Sequence, residues 1–291
     1  MNGILLLNKP EGITSRDVVN KTIKKLGIKK IGHTGTLDPI ATGVMVLCVG
    51  KATKLVNLLT SENKEYIAEV TLGIRTDTLD ITGHILEKRE TTITTDELYD
   101  VLTSFKGKYY QEVPIYSAVK IKGKKLYEYA RNEQDIILPK REVEIYDICL
   151  LDFDSINNKF TFKCLVSKGT YIRSLIKDIC DKLDTIGTMS KLIRTKQGKF
   201  CLEQCIDIDL ISEDKLININ DIINFKKIQV SDDLKFRIIN GQIIDNYFDE
   251  EKIFFIDKDK NALAIYHINA DDRTKMKPYI MLYEKEGEMY L

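Results

Sequence analysis

The chain has 291 residues, 43% hydrophobic and 30% charged, with 44 basic and 44 acidic side chains and therefore no net charge. These are ordinary totals for a globular protein that buries a sizeable core, and no apolar run reaches the ~20 residues a membrane helix needs. The six cysteines (48, 149, 164, 180, 201 and 205) lie scattered in apolar runs with no CxxC pair, which predicts small buried side chains in a reducing compartment rather than a metal site.

The opening MNGILLLNKPEG has no basic flank and only a short apolar run, so it reads as a first buried strand and not a signal peptide. Thr14, with Asp17 three residues on, predicts a capped helix whose stripe Val18, Val19, Ile23, Leu26 stops at Gly27. GVMVLCVG (43–50) predicts a second buried strand, with a helix behind it at Leu55, Leu58 and Leu59. KEYIAEVTLG (64–73) alternates and puts Tyr66, Ala68, Val70 and Leu72 on one face of a strand. A helix is expected at about 95–105, then a segment rich in Lys and Tyr. Two strands flank Ser155–Asn158 as a hairpin, and GTYIRSLIKDICDKL (169–183) opens a helix with Ile172, Leu175, Ile176 and Ile179 inward. From about 227 the pattern changes to short strands and turns, with Asn240-Gly241 as a hairpin signal. Hairpins and strand–helix units in mixed order predict an α+β fold with a mixed, largely antiparallel sheet.

Charge is unevenly placed. Residues 1–200 carry 32 Lys and Arg against 25 Asp and Glu, whereas residues 201–291 carry 12 against 19. A basic body with an acidic end fits an RNA partner, and it equally fits two solvated surfaces of different charge.

The densest chemical signal is GHTGTLDPIATGVMVLCVG (32–50), where glycines, Pro39 and small residues surround His33 and Asp38 before a buried strand. Gly35 permits unusual backbone angles and Pro39 biases Asp38 toward extended conformation. A carboxylate held at a strand entry is one reading, and an ordinary turn aspartate before proline is the other.

NKPEGITS (8–15), the 32–50 segment, YIAEVTLGIRTDTLD (66–80), YSAVKIKGKKLYEYAR (116–131) and SKGTYIRSL (167–175) together resemble the successive signatures of TruB-type pseudouridine synthases. The resemblance implies an enzyme that isomerises uridine 55 in the T-loop of tRNA to pseudouridine, without cofactor or metal. It implies Asp38 as the catalytic carboxylate, Tyr66 stacked on the uracil, His33 entering the T-loop where the flipped base was, and Leu192 lining the uracil pocket. Tyr171 and Arg173 would open a helix over the site. A cation in a first helical turn opposes the helix dipole by ~0.3–1 kcal/mol, so Arg173 needs an anionic partner, and the resemblance supplies Asp38 and a substrate phosphate. Lys9-Pro10 reads as structural support for the Asp38 loop.

The resemblance further implies a catalytic domain over 1–226 with a thumb-like RNA-clasping insertion at about 106–141. A small β-rich PUA-like module over 227–291 would follow. The expected partner is the T-stem-loop of tRNA, with no membrane, no obligate protein partner, a monomeric state and a cytoplasmic location. Two other readings share these residues: a guide-RNA-dependent synthase subunit, and a non-catalytic tRNA-folding helper.

Overall fold

The computed structural model describes residues 1–283. Strand β1 (Gly3–Lys9) is followed by helix α1 (Ser15–Leu26), where Thr14 and Asp17 cap each other reciprocally and Gly27 closes the helix at φ 67°. Next come β2 (Ile31–His33), β3 (Thr42–Val49), α2 (Val56–Thr60) and β4 (Lys64–Leu72), which alternates buried and half-buried residues along its length. A hairpin of β5 (Ile74–Thr76) and β6 (Ile85–Lys88) leads to α3 (Thr95–Thr103), capped by the Thr94–Glu97 box, and to β7 (Gly107–Glu112). Two short strands, β8 (Lys120–Ile121) and β9 (Lys124–Lys125), precede α4 (Leu126–Arg131). The long hairpin β10 (Lys140–Asp154) and β11 (Lys159–Val166) then gives way to α5 (Ile172–Lys182), β12 (Gly187–Gln197) and β13 (Phe200–Cys201).

Among the described residues nine of these strands form one sheet in the order β1-β3-β12-β4-β11-β10-β7, with β2 on β3 and β13 on β12, while β5-β6 and β8-β9 pair separately. All neighbours run antiparallel except β3 and β12, which are parallel and bring Arg194 opposite Gly43. The sheet is mixed and largely antiparallel, as the sequence pattern predicts. The backbone constraints in the 32–50 segment lie at Gly43 and Gly50 and not at Gly35. Gly43 has φ 101°, and a Cβ there would fall inside contact distance of the Arg194 backbone. Gly35 is not in the left-handed region.

The face of the sheet bearing Tyr66, Ala68, Val70 and Leu72 packs on Leu175, Ile176 and Ile179 of α5 and Leu98 and Leu102 of α3. Strands β1 and β3 are buried on both sides, which accounts for their unbroken apolar runs. Leu5, Leu7, Met45 and Leu47 face Val18 and Val19 of α1, while Ile4, Leu6, Val44 and Val46 face a second sheet.

That second sheet follows α6 (Ile219–Ile222) and is built from β14 (Lys226–Gln229), β15 (Ile244–Asp245), β16 (Lys252–Ile256), β17 (Ala262–Ile268) and β18 (Lys275–Met281), ordered β14-β16-β17-β18-β15. Phe254, Ile265 and Leu282, each 0% exposed, join the same apolar cluster as Ile4 and Val46. Burying each such side chain contributes ~1.5–3 kcal/mol, so the two sheets share a core.

Two local expectations are corrected here. Helix α7 (Asp232–Ile239) stands where short strands and turns are expected, with Ser231 capping its start. Asn240-Gly241 ends that helix, Gly241 adopting φ 66°, and makes no two-residue hairpin. Of the cysteines, 48, 164 and 180 are buried, but Cys149 is exposed on β10 and Cys201 and Cys205 are half-buried. Among the described residues no helix is long and apolar enough to cross a membrane.

Candidate active site

Asp38 sits in the loop between β2 and β3, and β1 and α1 hold that loop. The Ser15 hydroxyl accepts from Leu37 N–H at 2.9 Å and donates to Leu37 C=O at 3.1 Å. Lys9, 0% exposed, donates to Pro10 C=O at 2.8 Å and Pro39 C=O at 3.1 Å. Gly12 N–H donates to the same Pro39 carbonyl at 2.9 Å. Burial pushes the Lys9 ammonium down to about 8 against the opposing pull of Asp38 and Glu11. The loop is therefore fixed from both sides of the carboxylate, which stays open enough to meet a ligand at 30% side-chain exposure.

Arg173 reaches it from the first turn of α5. Its Nε lies 2.9 Å from Asp38 Oδ2 and its Nη2 3.1 Å from Oδ1, a parallel two-point pair. The remaining contacts lock the guanidinium: Nη1 donates to Thr78 C=O at 2.9 Å and Nη2 to Tyr116 C=O at 3.0 Å. The cation that the helix dipole disfavours has its carboxylate partner, and its fork is held by carbonyls from two other segments.

Asp38 and Arg173 share a cleft of about 440 Å³ with Tyr66, Tyr171 and Leu192. Tyr66 and Leu192 come from adjacent strands β4 and β12, at positions that point to the same face of the sheet. Tyr171 lies half-buried at the entry to α5. Five of the six residues singled out by sequence thus converge. His33 does not line the cleft: it is half-buried on β2, opposite Leu47, and its Nδ1 has no hydrogen-bond partner among the described residues. Burial, reinforced by the Arg194 and Arg16 charges, lowers its pKa.

The cleft also contains residues that sequence reasoning passed over. Arg194, 1% exposed, donates through Nε to Val44 C=O at 2.6 Å and through Nη2 to Gly35 C=O at 3.2 Å. It stands opposite Tyr66 across the β4–β12 ladder, and its charge bears on the buried Tyr66 hydroxyl. Lys64, also on the wall, donates to Thr60 C=O at 2.9 Å and Glu62 C=O at 2.5 Å, and burial pushes it down to about 8. The buried hydroxyl of Ser117, a residue of the wall, has no hydrogen-bond partner among the described residues. A signal for Arg194 did exist: in β12 it shares the inward face with Leu192, where a cation demands acceptors.

The segment expected as an insertion, 106–141, begins and ends inside the main sheet, because Gly107–Glu112 pairs with Lys140–Ile145. The part outside the sheet is 113–139. Its Tyr116, Ser117 and Tyr127 reach the cleft wall, so the insertion contributes to the cavity it flanks.

The arrangement combines an anchored carboxylate, a flat aromatic and an apolar leucine, with cations able to face phosphate. That set suits nucleophilic or proton-transfer work by a carboxylate on a ligand with a flat ring. Residues 23–172 match the model of the TruB family pseudouridylate synthase (N terminal domain). The chain is 41% identical to the tRNA pseudouridine synthase B of Bacillus cytotoxicus, over 98% of this chain and 99% of that protein. It is also 41% identical to the tRNA pseudouridine synthase B of Caldanaerobacter subterraneus subsp. tengcongensis, over 96% and 98% respectively. A solved H/ACA RNP bound to a substrate RNA containing 2′-deoxyuridine shares the fold at TM-score 0.70 and 22% identity, over 98% of this chain and 86% of that one. With the site geometry and these likenesses together, the chain belongs to the TruB family of pseudouridylate synthases.

Proposed function

We propose that this enzyme isomerises uridine 55 in the T-loop of tRNA to pseudouridine, with Asp38 as the catalytic carboxylate. The observation that carries the reading is the two-point Asp38–Arg173 pair in a cleft lined by Tyr66, Tyr171 and Leu192. The flipped uracil stacks on Tyr66 against Leu192, and Asp38 acts at C1′ while the N1–C1′ bond breaks. The uracil turns, C5 bonds to C1′, the C5 proton leaves and a proton arrives at N1. No atom is gained or lost, and the reaction calls for no cofactor or metal. Covalent attack at C1′ and a glycal route make equal use of the carboxylate.

His33, outside the cleft, fills the space that the flipped base leaves in the loop. Arg173 orients Asp38 and faces a substrate phosphate. The catalytic unit spans about 1–226, its insertion clasping the T-stem-loop with lysines and tyrosines, and the module expected over 227–291, whose last eight residues lie outside the described ones, is PUA-like. The protein works in the cytoplasm as a monomer without an obligate protein partner. Its 41% identity to proteins named tRNA pseudouridine synthase B supports action on tRNA over the role of a guide-RNA-dependent subunit.

The test is an unmodified tRNA transcript incubated with purified protein, with pseudouridine mapped by carbodiimide adduct and primer extension. A stop at uridine 55, absent with Asp38→Asn at unchanged tRNA affinity, is the expected result. Product from the Asn variant would overturn the assignment of Asp38, and binding without any product would favour a folding helper.

A further inference from the structure

Gln111 occupies the end of β7, just before the chain leaves the main sheet, and it is 1% exposed. Its side-chain amide treats Tyr171 as a neighbouring strand would. Oε1 accepts from Tyr171 N–H at 2.8 Å, and Nε2 donates to Tyr171 C=O at 3.1 Å. Nε2 also donates to the Tyr109 hydroxyl at 2.6 Å, which lies beside Asp178 of α5.

Tyr171 is the residue from which α5 starts. Its backbone is extended at φ −101°, ψ 115°, no side chain caps the helix from within, and its carbonyl takes the first helical bond from Leu175 N–H at 2.9 Å. A helix that starts without its own cap has a start that neighbours must define. The Gln111 amide supplies that definition from another element. Where α5 starts decides where Tyr171 and Arg173 point, and Arg173 makes contacts to three separate segments with little slack. A site of this kind tolerates displacements of only ~0.5 Å.

We propose that Gln111 is a positioning residue of this enzyme: by bonding both backbone polar groups of Tyr171 it fixes the start of α5, and so the aim of Tyr171 and Arg173 at the Asp38 cleft. Arg173 also donates to Tyr116 C=O, inside the insertion that follows β7. The insertion is thereby fastened to α5 at two points, one at its root and one at the guanidinium. The inference rests on Asp38 being the catalytic carboxylate.

Two variants test it. Gln111→Met keeps length and bulk and removes both bonds to Tyr171. Gln111→Glu keeps the shape; when protonated, its hydroxyl donates to the Tyr171 carbonyl and its carbonyl oxygen accepts from the N–H, as the amide does. When ionised it sets a carboxylate against that carbonyl. Single-turnover release of tritium from C5-labelled uridine in a tRNA transcript reads the chemistry, filter binding reads affinity, and thermal melting reads fold.

For Gln111→Met the rate should fall ~10–100-fold, the size seen when an orienting partner is removed, with tRNA affinity and melting little changed. The Glu-to-Met rate ratio should rise as pH falls from 8 to 5.5, because burial raises the introduced carboxyl into that window. Asp178, itself pushed up to about 6 by burial, titrates in the same window beside Tyr109, so in the pH series both variants carry Asp178→Asn to keep its titration out of the ratio.

A Met variant within threefold of the parent would overturn the proposal. So would a pH-independent ratio, or a loss of melting temperature that tracks the loss of rate in both variants. The parent and Asp38→Asn, run alongside, separate the two readings: parent product absent means the proposed function fails. Parent product with indifferent Gln111 variants means only this inference fails.

Discussion

Asp38 and Arg173 lie 135 positions apart in sequence and meet through two parallel bonds, Nε to Oδ2 and Nη2 to Oδ1. A planar fork makes both; an ammonium is a single point charge and makes one. The same guanidinium also satisfies the Thr78 and Tyr116 carbonyls. Arg173→Lys should therefore reduce the single-turnover rate by ~10–100-fold while tRNA affinity changes only a few-fold, since many phosphate contacts share the binding. A lysine variant matching the parent at saturating tRNA would show that the fork is not what orients Asp38.

Asp178 yields a prediction about pH. Burial, opposed in part by Lys177, raises its carboxyl from 3.8 to about 6 in the folded protein. Below about pH 3 both states are protonated and the group adds no penalty. As pH rises from about 4 to 6 the unfolded chain ionises freely while the folded state still holds its proton, so stability is lost over that interval and stays lost above it. Asp178→Asn keeps the shape and removes the charge. It should stabilise the protein at pH 8 by roughly 1–2 kcal/mol, discounted for partial solvation, and leave stability unchanged at about pH 3. Urea unfolding at both pH values checks the sign, and equal effects at the two would contradict it.

Gly43→Ala should be severe. The position combines φ 101° with an approach to the Arg194 backbone that no side chain fits. The parallel β3–β12 pairing would have to open, and with it the wall carrying Arg194. A loss of ~3 kcal/mol or more, among the large values for single changes, is expected in denaturant titrations. Gly35→Ala, where the added Cβ would sit 3.4 Å from Arg194 Nη1, should be far milder.

Phe254→Ala should behave as a mutation of the whole protein, although it lies in the second sheet. Phe254 packs in one cluster with Ile4, Leu6, Val44 and Val46. A loss of ~3–5 kcal/mol is expected, with probes of both sheets melting together. Separate transitions would mean that the two sheets fold independently.

The sequence made some of this legible for physical reasons. Asp38 is marked by its Gly- and Pro-rich loop, and Arg173 by being a cation where a helix dipole opposes one. Strand β4 is marked by strict alternation. Arg194 and Gln111 are hidden because their roles depend on partners in other segments: Val44 and Gly35 for one, Tyr171 for the other. Helix α7 was obscured by Asn240-Gly241, a pair that closes hairpins and helices alike. Ser231 and the acidic residues Asp232 and Asp233 were the signs that could have decided between them.

The shared core between the sheets has a mechanical consequence. A domain on a flexible tether searches for its contact and adds avidity through effective concentration. A sheet seated on β1 and β3 through Phe254, Ile265 and Leu282 has no such search. Any nucleic acid touching both the cleft and the second sheet meets a fixed span, and the protein acts on it as a ruler.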